Sequence, residues 1–385
     1  MSRPLKILIL GRDPDMFASP GGAPNDTRER HIAYVRELQR RRPGSEVRII
    51  VHTWMPGGGT FDEPIAGMKL YGTLSRHRLS APLKMLRLMR SFRREGWDAD
   101  VVSCQTGYEE APLALFAAAP ASRIQIQVHN DFYGEAFGQE RFVNALQRRV
   151  IRRSVRRCDQ VRVVSDGIRK AILRSGDIPA DRIALAPVPI IFQSLPPLPD
   201  TNEPVVLFVG RLVAQKDLGL WCEVARAIHR QLPNTRFWVV GEGPDREIVE
   251  RGLAELGDSA RLFGAVAYDG LPEIYARSSV FLLTSLYEGL GRVIVEAMLG
   301  GVPVVSANIV GPQDLIEDRR TGRLVSRDAN SLADACVEIL RDRSLAGGLA
   351  DAARAWAQNN YSFDAVAAKL VESWEAVAEL PKRKR

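Results

Sequence analysis

Two glutamates, Glu288 and Glu296, stand on either side of a Gly289-Leu290-Gly291 tripeptide within TSLYEGLGRVIVEAMLGGVPVVSA (Thr284 to Ala307). A predicted strand ends at Leu283, and a predicted helix begins near Arg292 and carries Glu296. Glycines ahead of a helix expose backbone N–H groups, which makes an anion site. Carboxylates accept hydrogen bonds from hydroxyls. Phosphate at the glycine loop, with hydroxyl-binding acids on both sides, describes a nucleotide-sugar. Each residue alone could be structural; in this order they are hard to assign to core packing.

Upstream, FVGRLVAQKDL (Phe208 to Leu218) sets Arg211 and Lys216 just beyond another predicted strand. A guanidinium fork and an ammonium point charge there could hold a diphosphate; a solvated loop pair is the alternative. Gly21-Gly22 follow the first strand and precede the first helix, where a backbone can approach a phosphate closely. A plain turn is the alternative there. No Gly-x-Gly-x-x-Gly occurs at this first turn. Gly241-Glu242-Gly243 opens like one, but Pro244 and Asp245 break it, so a nicotinamide dehydrogenase is unsupported. Two Asp-x-Asp triplets exist, Asp13-Pro14-Asp15 and Asp98-Ala99-Asp100. The second precedes its strand and points away from the ligand end, and no metal is expected.

The elements that must position these residues are short apolar strands alternating with helices, the signature of parallel α/β architecture. LKILILG, EVRIIVH, ADVVSCQ, RIQIQVH and QVRVVS read as strands of a first domain (1–193), with RERHIAYVRELQRR as its first crossover helix. Proline-rich sequence around 194–203 reads as a linker. PVVLFVG, TRFWVVG, SVFLLTS and VPVVSAN open strands of a second domain (204–360). FDAVAAKLVESWEAVAEL is an amphipathic helix in a closing segment (361–385) that ends in a basic KRKR tail. Two doubly wound domains imply a cleft, with ligands at strand carboxyl ends.

With 385 residues, 45% hydrophobic and 26% charged, the chain is an ordinary globular protein. Its four cysteines are too far apart for Cys-x-x-Cys motifs and suit a reducing cytoplasm. The longest apolar run, Ala111 to Ala121, is too short to span a membrane. The opening MSRPLKILILGRD reads as a strand, not a secretory signal. A cytoplasmic protein is expected, with peripheral contact on the membrane face as an option. The net charge of +7 divides into +11 over residues 1–193 and −4 over the remainder. Two stretches carry the excess. Arg76 to Glu95 sets Leu79, Leu83, Leu86, Met89 and Phe92 among Lys84, Arg87, Arg90, Arg93 and Arg94 as a basic amphipathic helix. Such a helix lies on an anionic lipid surface, or packs its apolar side into the core. QRRVIRRSVRRCDQ has Val150, Ile151 and Val155 as its apolar stripe. No nucleic-acid motif accompanies these arginines, so no nucleic-acid partner is expected.

The Glu288–Glu296 block resembles the E-x7-E signature of the retaining glycosyltransferases of family 4, the group 1 family, which have the GT-B fold of two Rossmann-like domains. IQVHNDFYGE, QVRVVSDGIRK, FVGRLVAQKDL, WVVGEGPDRE, RLFGAVAYDGLPEIYARSSVFLL, TGRLV and YSFDAVAAKL also fit, so the resemblance extends over nearly the whole chain. It implies that Glu288 binds hydroxyls of the transferred sugar, with backbone contacts from Gly289, Leu290 and Gly291. Glu296 would hold the ribose hydroxyls. Arg211 and Lys216 would neutralise the leaving diphosphate, and Gly21, Gly22, Gly210 and Gly241 would complete the donor site. His129, at the end of its strand, would reach the donor sugar; a satisfied structural histidine is the alternative. The last helix would cross back to the first domain. Three residues depart from the pattern: Asp217 where glycine is common, Arg292 where an apolar residue is frequent, and Asn308 where threonine or aspartate often stands.

The expected activity is transfer of a hexose-type sugar from a UDP- or GDP-sugar, as substrate and without a cofactor, to a glycan or anionic lipid-linked acceptor. Such acceptors belong to polysaccharide, lipopolysaccharide or glycolipid synthesis. Competing readings are a GT-B epimerase or hydrolase, and a non-catalytic basic protein binding membrane or nucleic acid.

Overall fold

The computed structural model describes residues 3–12, 16, 26–53, 60–62, 67–74, 80–134, 142–190, 192 and 203–381. The chain divides into two compact units. Unit 1 comprises Met1–Pro189 together with Phe363–Arg385, and unit 2 is Ile190–Ser362.

Unit 1 runs β1 (Lys6–Gly11), α1 (Asp26–Arg41), β2 (Glu46–Thr53), β3 (Thr60–Asp62), β4 (Met68–Leu74), α2 (Ser80–Arg94) and β5 (Val101–Cys104). It continues α3 (Glu110–Ala117), β6 (Arg123–Val128), α4 (Phe142–Val155), β7 (Gln160–Val163), α5 (Asp166–Ser175) and β8 (Ile183–Leu185). The sheet order is β3-β4-β2-β1-β5-β6-β7-β8, parallel throughout except β3 against β4. β1 lies between β2 and β5, with Ile9 opposite Ile49 and Ser103. Strands covered on both faces read as unbroken apolar runs, and β5 and β7 are buried along their whole length.

Unit 2 runs β9 (Val205–Val209), α6 (Leu218–Gln231), β10 (Arg236–Val240), α7 (Arg246–Leu253), β11 (Ala260–Gly264), α8 (Leu271–Ala276) and β12 (Val280–Leu283). It closes with α9 (Arg292–Gly300), β13 (Val304–Ala307), α10 (Pro312–Leu315), β14 (Arg323–Val325), α11 (Ala329–Arg341) and α12 (Arg343–Tyr361). Its parallel sheet has the order β11-β10-β9-β12-β13-β14. Phe208, Trp221 and Phe237 lock α6 onto the sheet edge-to-face, with ring centroids 6.0 and 6.5 Å apart.

A last helix, α13 (Phe363–Glu379), packs on α1 and on β6 of unit 1. Trp374 is fully buried there and meets Tyr34 edge-on at 6.0 Å. Arg42 donates to Glu375 at 2.7 Å and to Glu379 at 3.0 Å, and Arg41 also reaches Glu375 at 2.7 Å. Asp100, from the second Asp-x-Asp triplet, accepts from the Lys6 backbone N–H and from Arg3, both at 2.8 Å. It ties the amino ends of strands together, away from their carboxyl ends. Asp13-Pro14-Asp15 lies outside the described residues.

The two basic stretches are partly internal. In α2 the buried stripe is Ala81, Met85, Met89 and Phe92, which keeps the expected Met89 and Phe92 and replaces the leucines before them, with Leu86 half-buried. Leu83 faces outward, 59% exposed, and Leu79 lies outside the described residues. In α4, Ile151 and Val155 are buried and Val150 is half-buried. Arg152 and Arg156 both clamp Asp177 at 2.8 Å, and Arg148 donates to the Phe132 and Tyr133 carbonyls at 2.9 Å. Those arginines hold unit 1 together. The KRKR tail lies outside the described residues.

Two outcomes follow for α13. Trp374→Ala should destabilise unit 1 by about 3–5 kcal/mol in urea unfolding, the usual cost of emptying a buried aromatic site. Burial pushes the Glu375 carboxyl up, but hydrogen bonds from Arg42 and Arg41 outweigh it and hold the group below the ordinary glutamate value of 4.5. A carboxyl lowered on folding contributes stability that is complete above pH 4.5 and lost as pH falls through its lower folded value. Glu375→Gln should flatten the acid limb of the stability profile in that window.

Candidate active site in unit 2

The sheet order fixes where a site can form. From β9 the chain moves outward to β10 and β11, then returns to β12 on the other side of β9. The loops after β9 and β12 therefore emerge side by side at the switch point, where open α/β sheets bind ligands.

Lys216 comes from the first loop and Glu288 from the second. The Lys216 ammonium donates to Glu288 Oε1 at 2.5 Å, with both residues buried. The Ser285 hydroxyl donates to the same oxygen at 2.6 Å. Both donors converge on Oε1, so Oε2 has no hydrogen-bond partner among the described residues. Three further bonds hold the loops: Gln215 Nε2 to the Tyr287 carbonyl (2.8 Å), the Leu286 N–H to the Gln215 carbonyl (2.8 Å), and the Thr284 hydroxyl to the Lys216 carbonyl (2.9 Å).

Asp217 accounts for one departure from the family pattern. Its φ of 47° is left-handed, which explains a glycine at this point; aspartate tolerates the region better than most side chains. Its carboxylate accepts from the Leu220 N–H at 3.3 Å, capping α6, and pairs with Arg327 at 2.5 Å.

Gly289, Leu290 and Gly291 are buried, and Gly291 caps α9 at φ 86° with no side-chain cap. That helix start keeps backbone N–H groups for a ligand. Gly311, which sequence reasoning missed, packs on the same loop: a Cβ there would lie 2.9 Å from Glu288 Cβ, and its φ is 94°. Glu296, one turn into α9, is 3% exposed. Tyr268 donates to its Oε1 and Tyr275 to its Oε2, both at 3.3 Å. Burial, and then the charge of Glu296, push the Tyr275 phenol well above its ordinary value, so it stays a donor. Arg292 reaches Glu296 Oε1 at 3.7 Å, which gives that departure a partner. Asn308 accepts from Gln313 at 2.8 Å.

Arg211 is exposed, and its guanidinium makes no hydrogen bond or ion pair among the described residues. The structure thus joins Lys216 to Glu288 directly and leaves Arg211 uncommitted. Gly241 has a steric role: a Cβ would fall 1.8 Å from the Gly210 carbonyl oxygen. Gly21 and Gly22 lie outside the described residues.

His129 belongs to unit 1, just past β6, and lines a cavity of about 240 Å³. It meets Gln127 Oε1 at 3.1 Å, and Arg162 donates to the same oxygen at 2.6 Å. Arginine can only donate, so this oxygen accepts and His129 presents a protonated Nε2 to it. One group among the described residues has metal-ligand composition: His52, Glu109 and Glu110, in unit 1. Its carboxylates already engage other groups, with Arg12 on Glu109 at 2.9 Å and His52 on Glu110 at 2.7 Å. Arg12 thus already places one positive charge against this cluster.

Two parallel sheets with helices on both faces, and a switch-point loop pairing acids with cations, define a two-domain glycosyltransferase of GT-B architecture. Residues 203–342 match the family model described as "Glycosyl transferases group 1", and residues 31–189 match "Glycosyl transferase 4-like domain". The chain belongs to the group 1 glycosyltransferases of the family 4 type. A Mycobacterium tuberculosis protein, GDP-mannose-dependent alpha-(1-6)-phosphatidylinositol monomannoside mannosyltransferase, is 28% identical over 88% of this chain and 93% of its own. The lipopolysaccharide core biosynthesis glycosyltransferase LpsE of Rhizobium meliloti is 34% identical over 43% of this chain and 48% of its own. Among solved structures, sucrose-phosphate synthase from Thermosynechococcus elongatus superposes with a TM-score of 0.78 at 21% identity, covering 96% of this chain and 98% of that one. Anabaena HepE in complex with UDP-glucose gives 0.69 at 19% identity, covering 96% and 98%.

The glycine contacts allow a direct check. Gly241→Ala should cost more than about 2 kcal/mol, because neither backbone segment can yield. Gly347→Ala, inside α12 with open space around it, should stabilise by about 0.5–1 kcal/mol. Chemical denaturation of both variants reads the contrast.

Proposed function

We propose that this glycosyltransferase moves a hexosyl unit, with retention, from a UDP- or GDP-sugar to a glycan or lipid-linked acceptor. The observation that carries this reading is the convergence of Lys216 and Ser285 on one oxygen of Glu288. It orients the carboxylate and leaves Oε2 to accept from a sugar hydroxyl. Glu296, held by two tyrosines, accepts from the ribose hydroxyls. The Mycobacterium tuberculosis relative is described as a GDP-mannose-dependent phosphatidylinositol monomannoside mannosyltransferase, and HepE was solved with UDP-glucose. Both descriptions support a nucleotide-sugar donor.

Breaking the anomeric C–O bond develops positive charge on the sugar and negative charge on the departing diphosphate. Arg211, Lys216 and the uncapped start of α9 stabilise that negative charge, most strongly in the transition state. These groups supply the charge a metal would supply, so the reaction runs without one. Retention follows if the acceptor attacks from the leaving-group face and its proton passes to the departing phosphate oxygen. His129 contacts the donor sugar. Unit 1 receives the acceptor, and the exposed Leu83 with Arg87, Arg90, Arg93 and Arg94 on α2 supports peripheral contact with an anionic membrane.

The test is turnover of UDP- and GDP-hexoses with glycan and glycolipid acceptors, with the product anomer read by NMR. Glu288→Gln should lower kcat by about 10²–10³-fold, the range for losing one electrostatic contact to the transition state. Glu296→Gln should raise the donor KM about tenfold with a smaller effect on kcat, as expected for a charged hydrogen bond to a bound hydroxyl. EDTA should leave rates unchanged. Free sugar in place of a glycoside would convert the reading to a hydrolase.

A further inference from the structure

Unit 1 repeats the switch-point geometry of unit 2 and fills it with different chemistry. From β1 the chain goes outward through β2 and β4, then returns to β5 on the other side of β1. The cavity of about 240 Å³ sits at these carboxyl ends, bordered by Arg12 after β1, Gln105 after β5 and His129 after β6. Arg30 and His31 of α1 and Arg162 of β7 also line it. No aspartate or glutamate lines it among the described residues.

Arg162 is the telling residue. It is 1% exposed on β7, an interior strand beside the edge strand β8, where an apolar side chain would pack without desolvating a charge. Its guanidinium donates to the carbonyls of Ala186 (2.6 Å) and Pro187 (2.5 Å) and to Gln127 Oε1 (2.6 Å). All three acceptors are neutral. A guanidinium has five N–H donors, so two remain after these bonds. Burial pulls its pKa down to about 10, and the nearby Arg30 charge acts in the same direction. The group is still charged at neutral pH. A buried cation without a counter-charge is held at a desolvation cost that an entering anion offsets.

We propose that this cavity is an oxyanion subsite that grips a phosphate group carried by the acceptor, with Arg162 as its principal contact and Arg30 and His31 beside it. The assignment rests on unit 1 receiving the acceptor. It favours the acceptor over the donor because unit 2 already provides Arg211, Lys216 and a helix start for the donor diphosphate. Gln127 links the subsite to catalysis: the oxygen that Arg162 holds also receives the His129 N–H, so anion binding at Arg162 steadies the histidine.

The experiment is thermal unfolding of the full chain in inorganic phosphate against chloride at matched ionic strength. The arms are wild type, Arg162→Met, Arg30→Gln and, as a unit 2 control, Lys216→Met. Phosphate should raise the melting temperature of wild type and Lys216→Met. Arg162→Met should weaken phosphate at least tenfold and UDP- and GDP-hexose binding by much less, since Arg162 reaches the donor only through Gln127 and His129. Should Arg162→Met fail to fold, Arg30→Gln carries the test, with phosphate affinity reduced at least threefold. The proposal is overturned if phosphate protects Arg162→Met as it does wild type, or if the response disappears in Lys216→Met instead. An unchanged response in Arg30→Gln overturns it where Arg162→Met does not fold. Equal loss of donor binding in Arg162→Met also overturns it, since the anion would then be the donor diphosphate. The phosphate response needs no turnover; a wild type that binds phosphate but no nucleotide-sugar refutes the proposed donor and leaves the subsite standing.

Discussion

The buried Lys216–Glu288 ion pair is the contact on which the unit 2 site depends. Removing two charges from water is costly unless geometry and hydrogen bonding are complete. Here Ser285 adds a second donor to the shared oxygen, and Thr284 holds the backbone beneath the lysine. Together with the Gln215–Tyr287, Leu286–Gln215 and Thr284–Lys216 hydrogen bonds, the pair fixes the relative position of two loops that the sheet order brings together. Asp217 can then occupy a left-handed conformation and cap α6. Gly311 can approach the Glu288 backbone from the loop after β13. Breaking the pair from either side would leave one charge buried without its partner, so site geometry and local stability are coupled.

Much of this was legible in the sequence, for identifiable reasons. The central strands are short segments rich in valine, isoleucine and leucine, and β1, β2, β5, β6, β7, β9, β10, β12 and β13 lie where those segments fall. The strand ending at Leu283 and the helix starting at Arg292 also stand as read. The unread strands lack such a signal. β3, β8 and β14 are three residues each, β4 carries Lys69, Gly72 and Thr73 among its apolar residues, and β11 is half-buried with an arginine inside it. The stripe on α2 was read correctly at Met89 and Phe92 but not at its start, where Ala81 and Met85 carry less visible periodicity than leucine. Met85 packs inward and Leu83 does not.

The site was legible where chemistry sits in one contiguous motif and illegible where partners come from afar. Glu288 and Glu296 announce themselves by spacing. The tyrosines that hold Glu296 lie 28 and 21 residues upstream, and nothing local distinguishes them from core aromatics. The Lys216–Glu288 bond joins residues 72 apart, so two functional groups read separately proved to be one unit. Arg162 was hidden by alternation. In QVRVVS an arginine between valines reads as the solvent face of a strand, whereas it is buried inside a sheet covered on both sides.

The same topological device therefore serves two chemistries within one chain. Each unit reverses its strand order beside its first strand, and each gathers polar groups at that reversal. In unit 2 carboxylates are buried with their donors arranged around them, which leaves open acceptor capacity on Glu288. In unit 1 the buried charge is a guanidinium whose partners are all neutral, which leaves open donor capacity. The backbone geometry is equivalent, and what differs is the sign of the charge that burial leaves unbalanced. A carboxylate that already receives a lysine and a serine is close to satisfied and can discriminate among hydroxyls by geometry. A guanidinium without an acid is far from satisfied, and favours whatever brings negative charge into reach. The +11 balance of residues 1–193 thus has a specific internal focus as well as a surface component. That focus lies one strand from the histidine whose N–H it orients.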